Sequence, residues 1–297
     1  MEELHLLLDD VSIITAMVTP FNDDNTQVDH ERLALLIEHL LATGTEALLV
    51  GATTGEGPTL SKSEKLDLFK TTVAITHQRV PIIANVGSNN TQETIDFMNE
   101  VAEISGIDAA LVVVPYYNKP NQAGLYAHFS TIAKLGKLPF LMYNIPSRTG
   151  VTMDVATTLR LALLPNVIGI KDCTGVTNLL ALVHGTEGED FAVYSGEDNY
   201  AFAAKAVGGN GVVSVASHIY GQEIAQMYHL IELGKVKDAA QIQMVLDPKI
   251  GALFATPSPS ATKAVLADKG MPVGGVRLPL VMPSALEFET IKNTIDN

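Results

Sequence analysis

The chain has 297 residues, 33 acidic against 19 basic, and a formal charge of −14. No Lys/Arg cluster offers a nucleic-acid face, the single cysteine, Cys173, excludes an intrachain disulfide, and no apolar stretch is long enough to cross a bilayer. With 47% hydrophobic and 18% charged residues there is material for a large core rather than disorder, and the first ten residues, MEELHLLLDD, lack the basic start and cleavage site of a signal peptide, so a cytoplasmic protein is expected.

Eight short β-rich runs follow in order. They are Ser12–Pro20, Glu46–Gly51, Pro81–Gly87, Ala109–Pro115, Pro139–Asn144, Val167–Lys171, Phe191–Gly196 and Gly211–Val215. Their apolar residues run on without alternation, as in parallel strands covered on both faces. Helical patterns lie between them. The stretch DHERLALLIEHLLATG carries a stripe at Leu33, Leu36, Ile37, Leu40 and Leu41 and stops at Gly44. The next opens with Ser61 and Glu64 at capping-box spacing. A third starts at Thr91 and stops at Gly106, and further helices are expected near 124–135, 154–163, 177–184, 200–207 and 219–233.

Eight strand–helix units predict an α/β fold, a (β/α)8 TIM barrel. A doubly wound sheet is the rival; the count of eight and the absence of a GxGxxG turn after the first strand favour the barrel. The barrel is expected over residues 1–234. Residues 235–297 are expected to form a C-terminal helical extension packed on it, with helices in KVKDAAQIQMVLDPKIGALF and ATKAVLADKGM joined by the Pro-rich TPSPS.

In such barrels the chemistry lies at the C-terminal ends of the strands. There the sequence places Thr53, Thr54 and Glu56, then Tyr116 and Tyr117, Tyr143 and Arg148, Lys171, the SGED turn, and the strand GVVSV. Lys171 ends the apolar run VIGI. A lysine there is either one half of a structural ion pair or a nucleophile kept partly neutral by burial. The paired threonines also suit an ordinary turn, the tyrosines a filled barrel mouth, and Arg148 a rim ion pair. The glycines of GGNG (208–211) read as a tight turn, Cys173 as a small buried apolar residue, and the eight histidines, which form no ligand pattern, as surface or satisfied core groups; no metal site is expected.

Taken together, the rim residues suit Schiff-base chemistry, in which a neutral lysine amine attacks a ketone and the imine then accepts electrons from a carbanion. Each unit by which a lysine pKa falls corresponds to about 1.4 kcal/mol of lost charge stabilisation, which an apolar barrel floor can impose. Tyr143 has the chemistry to carry protons. The threonine hydroxyls and strand-end N–H groups suit one carboxylate, and Arg148 a second through bidentate contacts.

The motifs GATTGEGPTLS, NVGSNNTQET, VVVPYYNKP, YNIPSRTG, GIKDCTG and VRLPLVMP, in this order, resemble the dihydrodipicolinate synthase family over essentially the whole chain. That family belongs with N-acetylneuraminate lyase among class I aldolase-type lyases. The resemblance implies condensation of pyruvate with L-aspartate 4-semialdehyde, in diaminopimelate and lysine biosynthesis, without metal or organic cofactor. It implies that Lys171 forms the imine, that Tyr143 and Thr53 relay protons, and that Tyr117 completes the relay in a neighbouring subunit. It gives Thr54 the pyruvate carboxylate, Arg148 the carboxylate of the semialdehyde, and Gly196 and Val213 a place lining the pyruvate site. A homotetramer, a dimer of dimers, is implied as well.

Asn89, Glu93 and Tyr116 match the set that binds free lysine in feedback-regulated members. Lys62 and Lys65 stand where such members tend to carry histidines. At ~5 Å and an effective dielectric of about 20, one repulsion with the effector's ammonium is on the order of 3 kcal/mol before screening, so inhibition by lysine is expected to be weak or absent. One motif departs from the family: SPSATK (258–263) replaces an Asn-Pro-x-Pro-x-Lys stretch. A sugar-acid lyase would retain Lys171, Tyr143 and the threonine loop but would not use Arg148 for a second carboxylate. A non-catalytic binding barrel would have lost part of that set, and a pyridoxal-phosphate enzyme would need a phosphate cup.

Overall fold

The computed structural model describes residues 7, 8 and 10–297. Most of the stretch read for signal-peptide features, residues 1–6 and Asp9, lies outside them. Eight strands follow one another round a closed barrel: β1 (Ile13–Ala16), β2 (Ala47–Val50), β3 (Ile82–Asn85), β4 (Ala109–Val113), β5 (Phe140–Asn144), β6 (Val167–Asp172), β7 (Ala192–Ser195) and β8 (Gly211–Ser214). Each β-rich run of the sequence yields one of them, with β6 reaching one residue further, to Asp172. Nearly every strand residue is buried, which is why these runs are apolar throughout. The (β/α)8 fold expected from the sequence is the fold observed.

The helices are α1 (His30–Ala42), α2 (Lys62–Thr76), α3 (Thr91–Val101), α4 (Gln122–Leu135), α5 (Pro146–Thr149), α6 (Val155–Ala162), α7 (Val176–Gly185), α8 (Ala201–Ala206), α9 (Ser217–Glu232), α10 (Val236–Leu253), α11 (Ser260–Asp268) and α12 (Ala285–Asp296). The expected capping box of α2 is formed: Ser61 Oγ accepts from the Glu64 N–H and the Glu64 carboxylate accepts from the Ser61 N–H. Helix α3 ends at Val101, five residues before the predicted stop at Gly106. The amides of Glu103 and Ile104 donate to carbonyls three residues back, which tightens the chain into turns. Neither α5, a single turn started by Pro146, nor α12 was expected from the sequence.

Two compact units make up the chain. The first takes the described residues up to Ser12 together with Pro81–Val213, and so holds β3 to β7 and most of β8. Its strands pair in parallel, with Tyr143 beside Lys171 and Lys171 beside Tyr194. Tyr194 is fully buried, and its hydroxyl donates to the Val11 carbonyl at 2.7 Å. Gly211 lets the Ser12 carbonyl approach the start of β8: a Cβ there would lie 1.9 Å from that oxygen, which accepts from the Val212 N–H at 2.9 Å.

The second unit takes Ile13–Val80 and Ser214–Asn297. Its β1 and β2 pair in parallel, with Thr15 beside Leu48. Inside it the hydroxyl of Thr15 bonds those of Thr45 (2.7 Å) and Ser217 (2.8 Å), so a buried polar group on β1 is fully used. Helix α10 packs on α9 and α12.

Candidate active site

Strand β6 carries six buried residues and delivers Lys171 at its inner end, 5% exposed. Burial is the largest influence on its ammonium and lowers its pKa; Arg148 lowers it further, while Cys173, Asp198 and Glu197 act the other way. The neighbouring position on β5 is Tyr143, also 5% exposed, and Lys171 Nζ lies 4.6 Å from the centre of its ring. The amine therefore faces an aromatic surface within cation–π range.

The end of β6 is fixed from both sides. Asp172 accepts from the Thr174 amide at 2.9 Å, from the Thr174 hydroxyl, and from the Asn144 side-chain amide at 3.0 Å. Asn144 also donates to the Met153 carbonyl and accepts from the Met153 N–H, both at 3.0 Å. Its own carbonyl accepts from the Cys173 N–H. Burial raises the Asp172 pKa against these hydrogen bonds. Neither Asp172 nor Asn144 was singled out from the sequence, although both lie inside the motifs that carry Lys171 and Tyr143. Local sequence shows no reason for them to meet, and the β5–β6 register does: Asn144 stands opposite Asp172.

After β7 the chain turns at Gly196, whose N–H donates to the Asp172 carbonyl at 2.8 Å. A Cβ at Gly196 would lie 2.3 Å from Cys173 Sγ and 2.9 Å from Lys171 Cε. Here glycine makes room for the lysine stem. Glu197 follows, its carboxyl pushed up mainly by burial and hydrogen-bonded by the Cys173 thiol. Cys173 is half-buried rather than a closed core residue. Burial pushes its thiol up, leaving it a hydrogen-bond donor rather than a thiolate. Val213 is buried on β8.

Arg148 is exposed on the single turn α5, closed by Gly150 at φ 69°. Proline at the first helical position sets that turn immediately after β5. Tyr117 stands apart from this cluster. It is 88% exposed with φ 73°, at the tip of a turn. The left-handed backbone is uncommon for a bulky residue and points to a local constraint. Tyr116 is 40% exposed, and its carbonyl accepts from the side-chain amide of Asn89 (3.2 Å) and the N–H of Asn118 (2.9 Å). Glu93 is exposed in the first turn of α3. Lys62 is exposed, whereas Lys65 is half-buried with its pKa lowered by burial.

In the second unit, Thr53 and Thr54 follow β2 in the Gly51–Gly57 loop, Thr54 buried and Thr53 half-buried. The Glu56 N–H donates to the Thr53 carbonyl at 3.0 Å and closes a turn around Thr54.

The histidines divide. His218 is fully used, its Nδ1–H donating to the Val215 carbonyl and its Nε2 accepting from the Val18 N–H; burial pulls its pKa down to about 4. His128 departs from the expectation of a satisfied core group. Its Nδ1 bonds the Thr91 hydroxyl at 2.9 Å, but its buried Nε2 has no hydrogen-bond partner among the described residues. The GGNG glycines make the expected tight turn, where the Asn210 carboxamide accepts from the Val193 N–H at 2.9 Å.

The dihydrodipicolinate synthetase family model matches residues 10–297. A relative from Ligilactobacillus salivarius (strain UCC118) named 4-hydroxy-tetrahydrodipicolinate synthase is 56% identical over 269 residues, 91% of this chain and 92% of that one. The crystal structure of a dihydrodipicolinate synthase from Bacillus anthracis superposes with a TM-score of 0.94 at 40% identity, covering 98% of this chain and 99% of that one. That of the enzyme from Cyanidioschyzon merolae with lysine bound gives 0.92 at 39% identity, covering 97% of each chain.

The close packing at Gly196 generates a direct test. In Gly196→Ala the added methyl crowds Cys173 Sγ and the Lys171 stem, and if Lys171 is the group that forms an imine, an ångström-scale displacement of its amine costs about 100-fold in rate. Borohydride trapping of a small ketone on Lys171, read by peptide mass, should slow on that order while the melting temperature stays within a few degrees. Trapping at the parent rate would show that the lysine stem does not need the glycine.

Proposed function

Because the chain belongs to the dihydrodipicolinate synthetase family, we propose that it works through an imine between Lys171 and pyruvate. It is a lyase of the class I aldolase type, and its reaction is condensation of pyruvate with L-aspartate 4-semialdehyde to give 4-hydroxy-tetrahydrodipicolinate, in diaminopimelate and lysine biosynthesis. The observation that carries the lysine's role is its burial at the end of β6, which lowers its pKa. A depressed pKa raises the neutral amine fraction that a nucleophile needs.

In this mechanism the Lys171 amine adds to the pyruvate ketone and the carbinolamine loses water. The imine takes up the electron pair left when the pyruvate methyl loses a proton, and the enamine carbon then attacks the aldehyde carbon. The amino group of the semialdehyde adds to the restored imine carbon, closing the ring as Lys171 leaves as the free amine. Tyr143, whose ring lies 4.6 Å from Nζ, carries protons in these steps. Thr53 passes them on, and Tyr117, exposed on its turn, completes the relay in a neighbouring subunit of a homotetramer. Thr54 holds the pyruvate carboxylate, and Gly196 and Val213 line the pyruvate pocket. Arg148 receives the carboxylate of the semialdehyde through a charge-assisted contact. No cofactor takes part, and the protein works in the cytoplasm. Among the described residues no helix is long and apolar enough to cross a membrane.

Purified protein treated with pyruvate and borohydride should gain the mass of one reduced pyruvyl group, on the peptide that carries Lys171. Label on another lysine would remove Lys171 from its role. Arg148→Ala should still trap pyruvate, because the imine forms before the second substrate binds. Its synthesis rate with aspartate semialdehyde, coupled to the downstream reductase, should fall about 100-fold or more, as expected for loss of a charged contact worth ~3 kcal/mol. Full synthase activity in this variant would reject the assignment of the second carboxylate.

For Asn89, Glu93 and Tyr116 we propose a degenerate effector site, opposed by the charges of Lys62 and Lys65. Millimolar lysine added at saturating pyruvate should leave the rate nearly unchanged, and strong inhibition would show that the two lysines do not guard the site.

A further inference from the structure

The loop that carries Thr53 and Thr54 is tied by an ion pair to Lys263 on α11. Glu56 closes the turn around Thr54 in the left-handed region, at φ 54°, although it has a Cβ. Its backbone N–H donates to the Thr53 carbonyl, and its own carbonyl accepts from the Thr59 hydroxyl. The Gly57 N–H returns to the Ala52 carbonyl at 3.0 Å, and the Thr19 hydroxyl donates to the Gly55 carbonyl at 2.6 Å. An unfavourable backbone conformation of this kind persists where the surroundings over-determine it.

The surroundings do so through the side chain. The Glu56 carboxylate is buried, one oxygen 2.7 Å from Lys263 Nζ and the other accepting from the Arg277 N–H at 2.8 Å. Lys263 is completely buried. Its ammonium also donates to the Gly275 carbonyl at 2.7 Å and lies 4.2 Å from the centre of the Phe21 ring. The Arg277 guanidinium covers the same ring at 4.4 Å and reaches Glu64 at 2.6 Å, at the start of α2. The Lys263 and Arg277 side chains together meet two carboxylates, an aromatic ring and several backbone carbonyls. Nothing in the reaction assigns a role to this cluster, and its Lys263 ends the SPSATK segment in which the family motif is altered.

We infer that Glu56 and Lys263 are positioning residues for the reaction: their buried ion pair holds the turn on which Thr54 presents its hydroxyl and amide. The inference rests on the assignment of Thr54 to the pyruvate carboxylate. A clamp of this kind acts on how tightly pyruvate is gathered, not on the reactivity of Lys171 once the imine is formed. A purely structural pair would lower stability and leave pyruvate binding alone.

The test measures half-saturating pyruvate and plateau in borohydride trapping on Lys171, alongside the melting temperature. Thr54→Val examines the underlying assignment. Glu56→Asp keeps both charges but withdraws the carboxylate by one methylene. The double variant Glu56→Gln with Lys263→Met removes both charges at similar volume, so that no lone buried ion is left to unfold the protein. In Thr54→Val, Glu56→Asp and the double variant, half-saturating pyruvate should rise about tenfold or more, as for loss of a hydrogen bond to a charged group. The plateau should stay within about twofold of the parent, and the double variant should melt within a few degrees of it. A raised half-saturation for Thr54→Val with parent values in the other two would overturn the clamp and leave the threonine assignment standing. A parent value for Thr54→Val would overturn that assignment and the clamp with it.

Discussion

The desolvation of one ammonium group governs this structure. Lys171 is placed where water cannot reach it freely, and the apolar run of β6 is what brings it there. Burial alone would make such a residue a defect, because a charged lysine in a low-dielectric interior is expensive. The cost falls on the charged form, and the imine chemistry we propose would use the neutral one. The carboxylates of Glu197 and Asp198 act in the opposite direction on the same amine. Burial raises the Glu197 pKa, while the Cys173 thiol and the charges of Lys171 and Arg148 act the other way.

Rigidity follows from hydrogen bonds more than from bulk at this point. Asp172 and Asn144 join the ends of β5 and β6, the strands that carry Lys171 and Tyr143. The 4.6 Å separation of amine and ring therefore depends on a register defined one residue away. On the other flank, Gly196 brings the next strand's turn against the lysine stem. The Asp172–Asn144 contact and the Gly196 turn thus decide where the Lys171 amine stands, in line with the precision that proximity effects require.

The strands were legible because burial on both faces leaves no alternation to interpret: each apolar run in the sequence became a strand. Helix α12 was not, although Ser284 and Glu287 form a capping box. Its apolar stripe is thin, with Ile291 and Ile295 buried and Leu286 75% exposed. The candidate site residues stood out as types at strand ends, since lysine, tyrosine and arginine are conspicuous among glycines and valines. Cys173, expected as a small buried apolar residue, is only half-buried and bonds Glu197, a residue that the turn after β7 brings to it. The His128 nitrogen that has no hydrogen-bond partner among the described residues had no signal in sequence at all.

The two buried lysines show why residue type and burial do not define a role. Lys171 is 5% exposed and Lys263 0%, and burial is the leading influence on both. Lys263 has a carboxylate at 2.7 Å, a carbonyl at 2.7 Å and an aromatic face, and its pKa is pulled down only to about 8. At neutral pH it stays mostly charged and locked in place, and a locked ammonium has no lone pair to give. Lys171 has an aromatic face of the same kind, but its carboxylates influence it through the field, and Arg148 opposes them. Sequence reading posed two outcomes for a buried lysine, ion pair or nucleophile. Lys263 takes the first, with a partner, Glu56, more than two hundred positions away in the sequence; the second is what we propose for Lys171.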